Sequence, residues 1–224
     1  MGALMKSVNK DGSINKFSQV RDRQRALILK NAFHLFLTKP FSAIKMQDVA
    51  NSSHISRPTL YKYFDNIDEI IFALESSIMQ QTLKDTHVDP LKSSLNGHDL
   101  VLAFASKAFE SARKNPDEFY FVSLFDNYNH NRPINEALNK KYGSMFRQGD
   151  INVAALVAKG KADGSIRQDI DVEKALYLIV NATTALALRF ATIGTRGLPS
   201  DLSLDIKSIE DEFLAMISER LSPR

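Results

Sequence analysis

Apolar residues recur at helical spacing along most of the chain. In the first such segment they fall at positions i, i+3, i+4 and i+7, namely at Leu29, Ala32, Phe33 and Phe36. This spacing places them on one face of a helix, which Pro40 ends. The pattern continues in eight further segments: 44–52, 56–64, 65–85, 98–115, 117–130, 134–162, 171–194 and 203–221. No stretch alternates as a strand does, so the predicted fold class is all-α.

Segments 44–52 and 56–64 together have the pattern of a helix-turn-helix. Val49 and Leu60 are apolar where the two helices would face each other, and Ile55 can fill the turn between them. Ser56 is expected to cap the second helix by accepting a bond from a free backbone N–H. Pro58 then falls in the first turn, where a missing N–H costs nothing. The proline is therefore expected to begin a helix rather than to break one.

The polar side chains of 56–64 are expected to point mostly away from the core, because Leu60 and Phe64 face inward at i and i+4. Basic, hydroxyl and phenolic groups can donate to phosphates and read base edges in a major groove. Arg57 can bond guanine through two N–H groups, and Thr59 can meet a thymine methyl or a phosphate. The predicted DNA-binding residues are Lys45, Ser56, Arg57, Pro58, Thr59, Tyr61, Lys62 and Tyr63. The alternative is an amphipathic hairpin whose surface has no such role.

Charge is distributed unevenly along the chain. Residues 1–64 hold 11 Lys and Arg against 3 Asp and Glu, a net of +8, and the remaining 18 and 23 give residues 65–224 a net of −5. Without residues 1–19, the stretch 20–64 still carries +6. A basic end on an acidic body is expected where one end of a protein meets a polyanion. A chance bias combined with a basic tail is the alternative.

The run "ILKNAFHLF…KMQDVANSSHISRPTLYKYFDNIDEII" resembles the N-terminal domain of TetR-type transcriptional regulators. The resemblance is sharpest in S-x-x-T-L-Y-x-Y-F at Ser56–Phe64, and the turn "KADGSIRQDID" at 161–171 before a long apolar helix is also similar. It implies that residues 44–63 contact DNA, that the C-terminal region binds a small effector, and that the last two helices pair in a homodimer. The predicted domains are a flexible basic tail (1–19), a three-helix helix-turn-helix domain (20–66) and a helical effector-binding and dimerisation domain (67–224).

Three positions depart from the family pattern. Ile44 stands where a threonine usually opens the second helix, although Lys45 follows as a substitute phosphate ligand. His54 stands at the usual glycine of the turn, where a positive φ is costly for a side chain. Ile67 replaces the lysine that usually opens the fourth helix, and losing that cation would lower the salt slope of DNA binding by about one. Arg21, Arg23, Arg25 and the lysines of the tail are expected to compensate.

The predicted effector pocket rests on aromatic residues in 104–146 and on two polar residues near the end of the chain. Apolar pockets with a few polar groups bind small ligands, although aromatic stripes at helical spacing also build plain cores. The pocket candidates are Phe104, Phe121, Phe125, Tyr128, Tyr142, Phe146, Asn181 and Arg189. Arg189 could meet an anionic ligand or a partner's carboxylate, or it could be a surface arginine.

The last two predicted helices carry apolar stripes that could close a four-helix bundle with a second copy. The interface candidates are Ile179, Leu186, Ile206, Ile209, Phe213 and Ile217. The alternative is that these residues pack only within one chain. A dimer would place two recognition helices about 34 Å apart, one helical turn, over a near-palindromic site on double-stranded DNA.

The sequence contains no motif that indicates an enzyme, a metal site or a cofactor. It has no cysteine, no P-loop, no G-x-S-x-G and no H-E-x-x-H. The first residues lack the apolar region of a signal peptide, and no membrane partner is expected, so a cytoplasmic, nucleoid-associated protein is predicted. The function predicted is a repressor that a small-molecule effector releases from its operator. The alternative is an architectural or protein-regulated DNA-binding factor without a small ligand.

Overall fold

The computed structural model describes residues 16–130, 136–194 and 205–223. The helices are α1 (Lys16–Thr38), α2 (Met46–Ser52), α3 (Arg57–Leu60), α4 (Ile67–Thr86), α5 (Gly97–Lys114), α6 (Pro116–Asn129), α7 (Glu136–Asp163), α8 (Val172–Ile193) and α9 (Ile206–Leu221), with a 3₁₀ turn at Phe41–Ala43. None of these residues lies in a β-strand. The prediction of an all-α fold is confirmed.

The chain divides into two compact units, residues 1–75 and residues 76–224. The division falls inside α4, later than the boundary at 66 and 67 that the sequence predicts. The first unit therefore holds α1, α2, α3 and the first half of α4.

The core of the first unit forms around the inner face of α1. Ile28, Ala32 and Phe36 are fully buried there, whereas Leu29 and Phe33 of the predicted stripe are only half-buried. The buried line therefore follows the i, i+4, i+8 positions: it keeps Ala32 and Phe36 of the predicted stripe and has Ile28 in place of Leu29. The 3₁₀ turn adds Phe41, whose ring meets that of Phe36 edge to face at 4.6 Å.

The second unit is built around α5, which packs against α7, α8 and α9. Its core holds Leu100, Val101, Phe104, Val153, Leu156, Val157, Ile166, Ile170, Leu176, Ile179, Ile217 and Leu221. Two glycines permit the close approach of α5 and α7, because a Cβ on Gly97 would stand 2.0 Å from the backbone nitrogen of Gly160. Asp163 then accepts a bond from the N–H of Gly97 at 2.8 Å and fixes the start of α5.

Helix α8 is the most apolar of the described helices. Within the described ranges it is the one helix whose length and composition would allow it to cross a membrane, a test that core helices of soluble proteins also pass. Its inner side packs into the second unit through Leu176, Ile179, Thr183 and Ala187.

Candidate nucleic-acid interface

The turn between α2 and α3 is held by its own backbone. The N–H of Ile55 donates to Ala50 O at 3.0 Å, and the N–H of His54 donates to Asn51 O at 3.1 Å. His54 has a φ of 54°, the left-handed conformation that glycine adopts most easily. It is the one non-glycine residue with a positive φ in the described part of the chain. The chain keeps the left-handed turn that the resemblance implies, with histidine in place of glycine.

Helix α3 begins as the sequence predicts. Ser56 is its N-cap: the hydroxyl accepts from Thr59 N at 3.3 Å and lies 2.8 Å from the Thr59 hydroxyl. Pro58 stands in the first turn and lacks only an N–H that would have no helical partner there. The cap and the proline together fix where the helix begins.

Helix α3 is shorter than predicted, because it ends at Leu60 instead of continuing to residue 64. The chain goes on through turns, in which Tyr63 N and Phe64 N both donate to Leu60 O, at 2.9 and 3.1 Å. Leu60 and Phe64 are buried as expected. These two anchors hold the segment on the unit's core and leave its other side open to solvent.

The side chains predicted to bind DNA mostly lie on the open side. Lys45, Ser56, Arg57, Pro58, Tyr61 and Lys62 are exposed, whereas Thr59 and Tyr63 are half-buried. Lys45 precedes α2, where its N–H donates to the Asp48 carboxylate at 2.8 Å, so its backbone is fixed while its ammonium group faces solvent. The segment from 45 to 63 thus presents basic, hydroxyl and phenolic groups on one well-anchored scaffold.

Two arginines of this unit rest on aromatic rings. The Arg57 guanidinium lies over the Tyr61 ring, 5.4 Å from its centroid, and donates to the Tyr61 hydroxyl at 3.0 Å. On α1, the Arg25 guanidinium lies 4.7 Å from the centroid of the buried Phe64 ring. Such contacts restrain otherwise mobile side chains. Arg25 is therefore held beside Phe64, at the end of the segment 56–64, and its compensating role toward DNA stays a prediction.

Apart from His54 in the turn, the two other departures from the family pattern have different structural outcomes. Ile44 is buried, with 4% of its surface exposed, and is part of the unit's core. Ile67 begins α4 half-buried, and the helix start is capped instead by Asn66, whose side chain accepts from Glu69 N at 2.9 Å. Because Ile44 points inward, Lys45 is the exposed cation at the start of α2.

Seven exposed cations in the described part of the first unit form no ion pair with a described carboxylate. They are Arg21, Arg23, Lys30, Lys39, Lys45, Arg57 and Lys62. Unpaired surface cations keep their full attraction for a polyanion.

The predicted effector residues occupy different environments. Phe104, Phe121 and Phe125 are buried and Tyr128 is half-buried. The side chains of Tyr142 and Phe146 lie outside the described residues. Asn181 and Arg189 face solvent, because the inner side of α8 is taken by residues 176, 179, 183 and 187, and the Asn181 amide donates to Tyr177 O at 2.7 Å. The expectation that Asn181 and Arg189 face a pocket with the aromatic residues therefore does not match their positions.

One cavity of the second unit includes a predicted effector residue. It has a volume of about 420 Å³ and is lined by Gln80, Leu83, Lys84, Thr86, His87, Phe104 and Asn152. Of these, only Phe104 was predicted from the sequence; the other six come from α4, from the loop after it at His87 and from α7 at Asn152, and they share no aromatic pattern. Asn152 also ties the loop after α4 to α7: its amide donates to Val88 O at 2.9 Å.

The predicted dimer residues turn out to pack largely within their own chain. Ile179 and Ile217 are buried in the core of the second unit, and Leu186 and Phe213 pack against its core clusters. Ile206 and Ile209 are half-buried. Ile179 and Ile217 belong to the core of their own chain and also line the groove between α8 and α9, so their role in a dimer stays a prediction.

A different set of apolar side chains on α8 and α9 faces outward. Tyr177 and Leu178 are each 64% exposed, and Met216 is 61% exposed. Leu178 and Met216 line a groove of about 1090 Å³ between α8 and α9. We call Tyr177, Leu178 and Met216 the outer apolar stripe.

Comparison with known proteins agrees with these observations. Residues 28–74 match the model of the bacterial regulatory proteins of the tetR family. The chain is 26% identical over 177 residues to the HTH-type transcriptional regulator EthR of Mycolicibacterium smegmatis, covering 75% of this chain and 76% of that protein.

Solved structures share the fold at low sequence identity. A transcriptional regulator of the TetR/AcrR family from Thermobifida fusca superposes with a TM-score of 0.65 at 20% identity, covering 88% of this chain and 97% of that one. AibR, solved in complex with isovaleryl coenzyme A and operator DNA, superposes with a TM-score of 0.64 at 14% identity, covering 87% and 97%. By the motif at Ser56–Phe64 and the matched residues 28–74, the N-terminal part of the chain is a DNA-binding domain of the tetR family, and the chain as a whole is similar to TetR-type transcriptional regulators.

Proposed function

We propose that the protein is a homodimeric repressor that binds a near-palindromic operator and leaves it when a small effector binds the second unit. The observation that carries the proposal is the segment 45–63. It combines a backbone fixed by Ser56, Leu60 and Phe64 with exposed side chains that can donate to phosphates and bases.

Within that segment the side chains have different chemistry and are assigned different contacts with DNA. Arg57 is the candidate for base recognition, because a guanidinium can bond guanine O6 and N7 together. Lys45 and Lys62 are exposed ammonium groups that would contact phosphates and contribute affinity without sequence preference. Arg25, held over Phe64, would add a further phosphate contact. Thr59 keeps its hydroxyl engaged with Ser56 and would offer mainly its methyl group.

The outer apolar stripe supports the homodimer. Leu178 and Met216 line one groove, and Tyr177 is exposed next to Leu178 in the chain; exposed apolar surface of this kind marks an interaction site, and α8 and α9 are the helices expected to pair. Two copies meeting there would bury Tyr177, Leu178 and Met216 in a four-helix bundle. The same symmetry would present two α3 helices to two half-sites of one operator.

The cavity beside Phe104 is the proposed effector site. Its volume of about 420 Å³ falls in the range of sites for small ligands. Its wall includes the last turns of α4, the helix whose first half belongs to the DNA-binding unit. An effector that binds one arrangement of α4 better than another would shift the population toward it, and so change operator affinity. AibR offers a precedent, as a relative of the same fold solved with a coenzyme A thioester and operator DNA.

A fluorescence anisotropy titration tests DNA reading. The protein is titrated against a duplex from its own upstream region and against a scrambled duplex of equal composition, each at two salt concentrations. We expect a preference for the first duplex that persists at the higher salt. If the protein binds both duplexes equally, and the higher salt concentration abolishes that binding, the architectural or partner-regulated alternative is favoured.

A ligand screen on the preformed complex tests the effector. Compounds that lower the anisotropy are retested on Phe104→Trp, which narrows the cavity, and on Tyr120→Phe as a surface control. We expect Phe104→Trp to lose the response and to keep operator affinity. A response unchanged in Phe104→Trp would place the effector elsewhere.

For the living cell we expect a cytoplasmic, nucleoid-associated protein.

A further inference from the structure

Tyr61 and Arg57 contact each other in two ways across one helical turn. The Arg57 Nη2 atom donates to the Tyr61 hydroxyl at 3.0 Å, and the guanidinium carbon lies 5.4 Å from the centre of the Tyr61 ring. A hydrogen bond fixes the position of one guanidinium nitrogen. The ring beneath it also limits how the guanidinium plane can tilt.

This pairing is notable because Arg57 would otherwise be mobile. An exposed arginine samples many rotamers and loses that freedom when it binds, which weakens binding. Among the described residues no carboxylate forms an ion pair with Arg57, so the tyrosine is the contact that orients it. Pre-orientation reduces the entropy lost on binding.

The pairing leaves Arg57 able to read a base. A guanidinium has five N–H donors, of which the contact with Tyr61 uses one and a bidentate contact to guanine uses two. The Tyr61 oxygen acts as the acceptor in this contact. Its role toward Arg57 therefore differs from that of a side chain that only donates to a phosphate.

We propose that Tyr61 is a positioning residue that orients Arg57 for a base edge, so that the pair sets the sequence preference at one position of each half-site. This inference rests on the proposed DNA-binding function and deepens it. It assigns Tyr61 to specificity, whereas Lys45 and Lys62 supply affinity that does not depend on sequence.

The test starts from a duplex selected from a random library by the full-length wild-type protein. Affinities are measured for the selected duplex, its single-base variants and a scrambled duplex, using the wild type, Arg57→Ala, Tyr61→Phe and the double variant. Tyr120→Phe is the matched control, since it removes a tyrosine hydroxyl from an exposed position of α6. The position read by Arg57 is the one at which Arg57→Ala no longer discriminates among bases.

We expect Arg57→Ala to lower affinity for the selected duplex roughly 10- to 100-fold. Tyr61→Phe should lower it roughly three- to tenfold, weaken discrimination at that same position and leave the scrambled duplex unaffected. In the Arg57→Ala background, Tyr61→Phe should have no further effect. Tyr120→Phe should match the wild type.

A second measurement reports on the pair without DNA. The ¹⁵N order parameter of the Arg57 Nε–H group in the free protein should fall in Tyr61→Ala, which removes both contacts, and stay unchanged in Tyr120→Phe. An unchanged order parameter in Tyr61→Ala would overturn the inference even if that variant binds DNA poorly.

Two DNA-binding results would also overturn it. One is an equal loss on selected and scrambled duplexes in Tyr61→Phe, which would make Tyr61 a phosphate ligand in its own right. The other is a loss that persists in the Arg57→Ala background. A wild-type protein that selects no sequence would remove the proposed function itself, and the two failures are therefore distinguishable.

Discussion

Helices α3 and α8 both bury one side and expose the other, yet their exposed sides differ in chemistry. Outward from α3 lie Arg57 and, just beyond its end, Tyr61 and Lys62. Outward from α8 lie Tyr177 and Leu178, with apolar surface well open to solvent, beside the exposed polar residues Asn181 and Arg189. A cationic, hydrogen-bonding surface fits a polyanion, whereas an apolar surface fits another protein surface. The inner sides determine the fold, and the outer sides indicate the partners.

The second unit contains a close approach of two helices that a single substitution can test. In the second unit the contact between α5 and α7 depends on Gly97 lying against Gly160. Replacing Gly97 with alanine would drive a methyl group into backbone that cannot move aside. We expect a loss of about 3 kcal/mol in the free energy of unfolding, the upper end for overpacking. Urea denaturation, monitored by circular dichroism, measures this loss of stability.

Gly143 provides the matched control for that substitution. It lies within α7, and a Cβ there would meet nothing within 4 Å. Gly143→Ala should therefore stabilise the protein by up to about 1 kcal/mol through helix propensity. Equal effects of the two substitutions would contradict the close packing of α5 on α7.

The outer apolar stripe is tested by placing a charge in it. Leu178→Asp would put a carboxylate into the proposed dimer contact, which disfavours an unpaired charge. We expect the dimer dissociation constant from sedimentation equilibrium to rise roughly 100-fold, about 2.7 kcal/mol. Leu91→Asp is the control, because Leu91 is 94% exposed in the loop after α4. Similar behaviour of both variants would move the dimer contact away from α8.

A substitution in the left-handed turn of the first unit is expected to change the free energy of unfolding by a smaller amount. His54 adopts a φ of 54°, which costs a side-chain-bearing residue more than glycine. His54→Gly should raise the free energy of unfolding by about 0.5–1 kcal/mol, because the relief of strain exceeds the added flexibility of the unfolded chain. Thermal and urea denaturation show whether the substitution raises or lowers the free energy of unfolding. A loss of stability would indicate that the histidine side chain stabilises the turn.

The smallest expected effect concerns pH and the start of α5. Bonds from the side chain and backbone of Ser165, and from the backbone of Gly97, hold the pKa of Asp163 below its ordinary 3.8. The folded state therefore prefers the carboxylate, so its stabilising contribution is full above the ordinary pKa and is lost as pH falls through the lowered one. The stability difference between wild type and Asp163→Asn should shrink as the pH is lowered through that window. A difference independent of pH would exclude the carboxylate as the cause.

Much of the first unit could be predicted from the sequence, because local rules determine it. The cap at Ser56, the proline in the first turn and the inward Leu60 and Phe64 all follow from neighbours a few residues apart. The early end of α3 could not be predicted, because apolar spacing continues to Phe64 while the backbone leaves the helix after Leu60.

The second unit was harder to predict, because its sites depend on contacts between distant segments. The apolar stripe of α8 is wide enough to serve either a core or an interface. Only packing against α5 and α7 shows that Ile179 faces inward and Leu178 outward. The cavity beside Phe104 likewise joins residues of α4 and α7 that carry no common motif.

Hydrogen–deuterium exchange, measured with and without the selected duplex, tests most directly whether DNA binds the segment 45–64 rather than the surface of α8 and α9. We predict that DNA slows exchange in peptides covering residues 45–64 and leaves peptides from 205–223 unchanged. If DNA binds but slows exchange only in the second unit, and not across residues 45–64, the assignment of DNA recognition to this segment is contradicted.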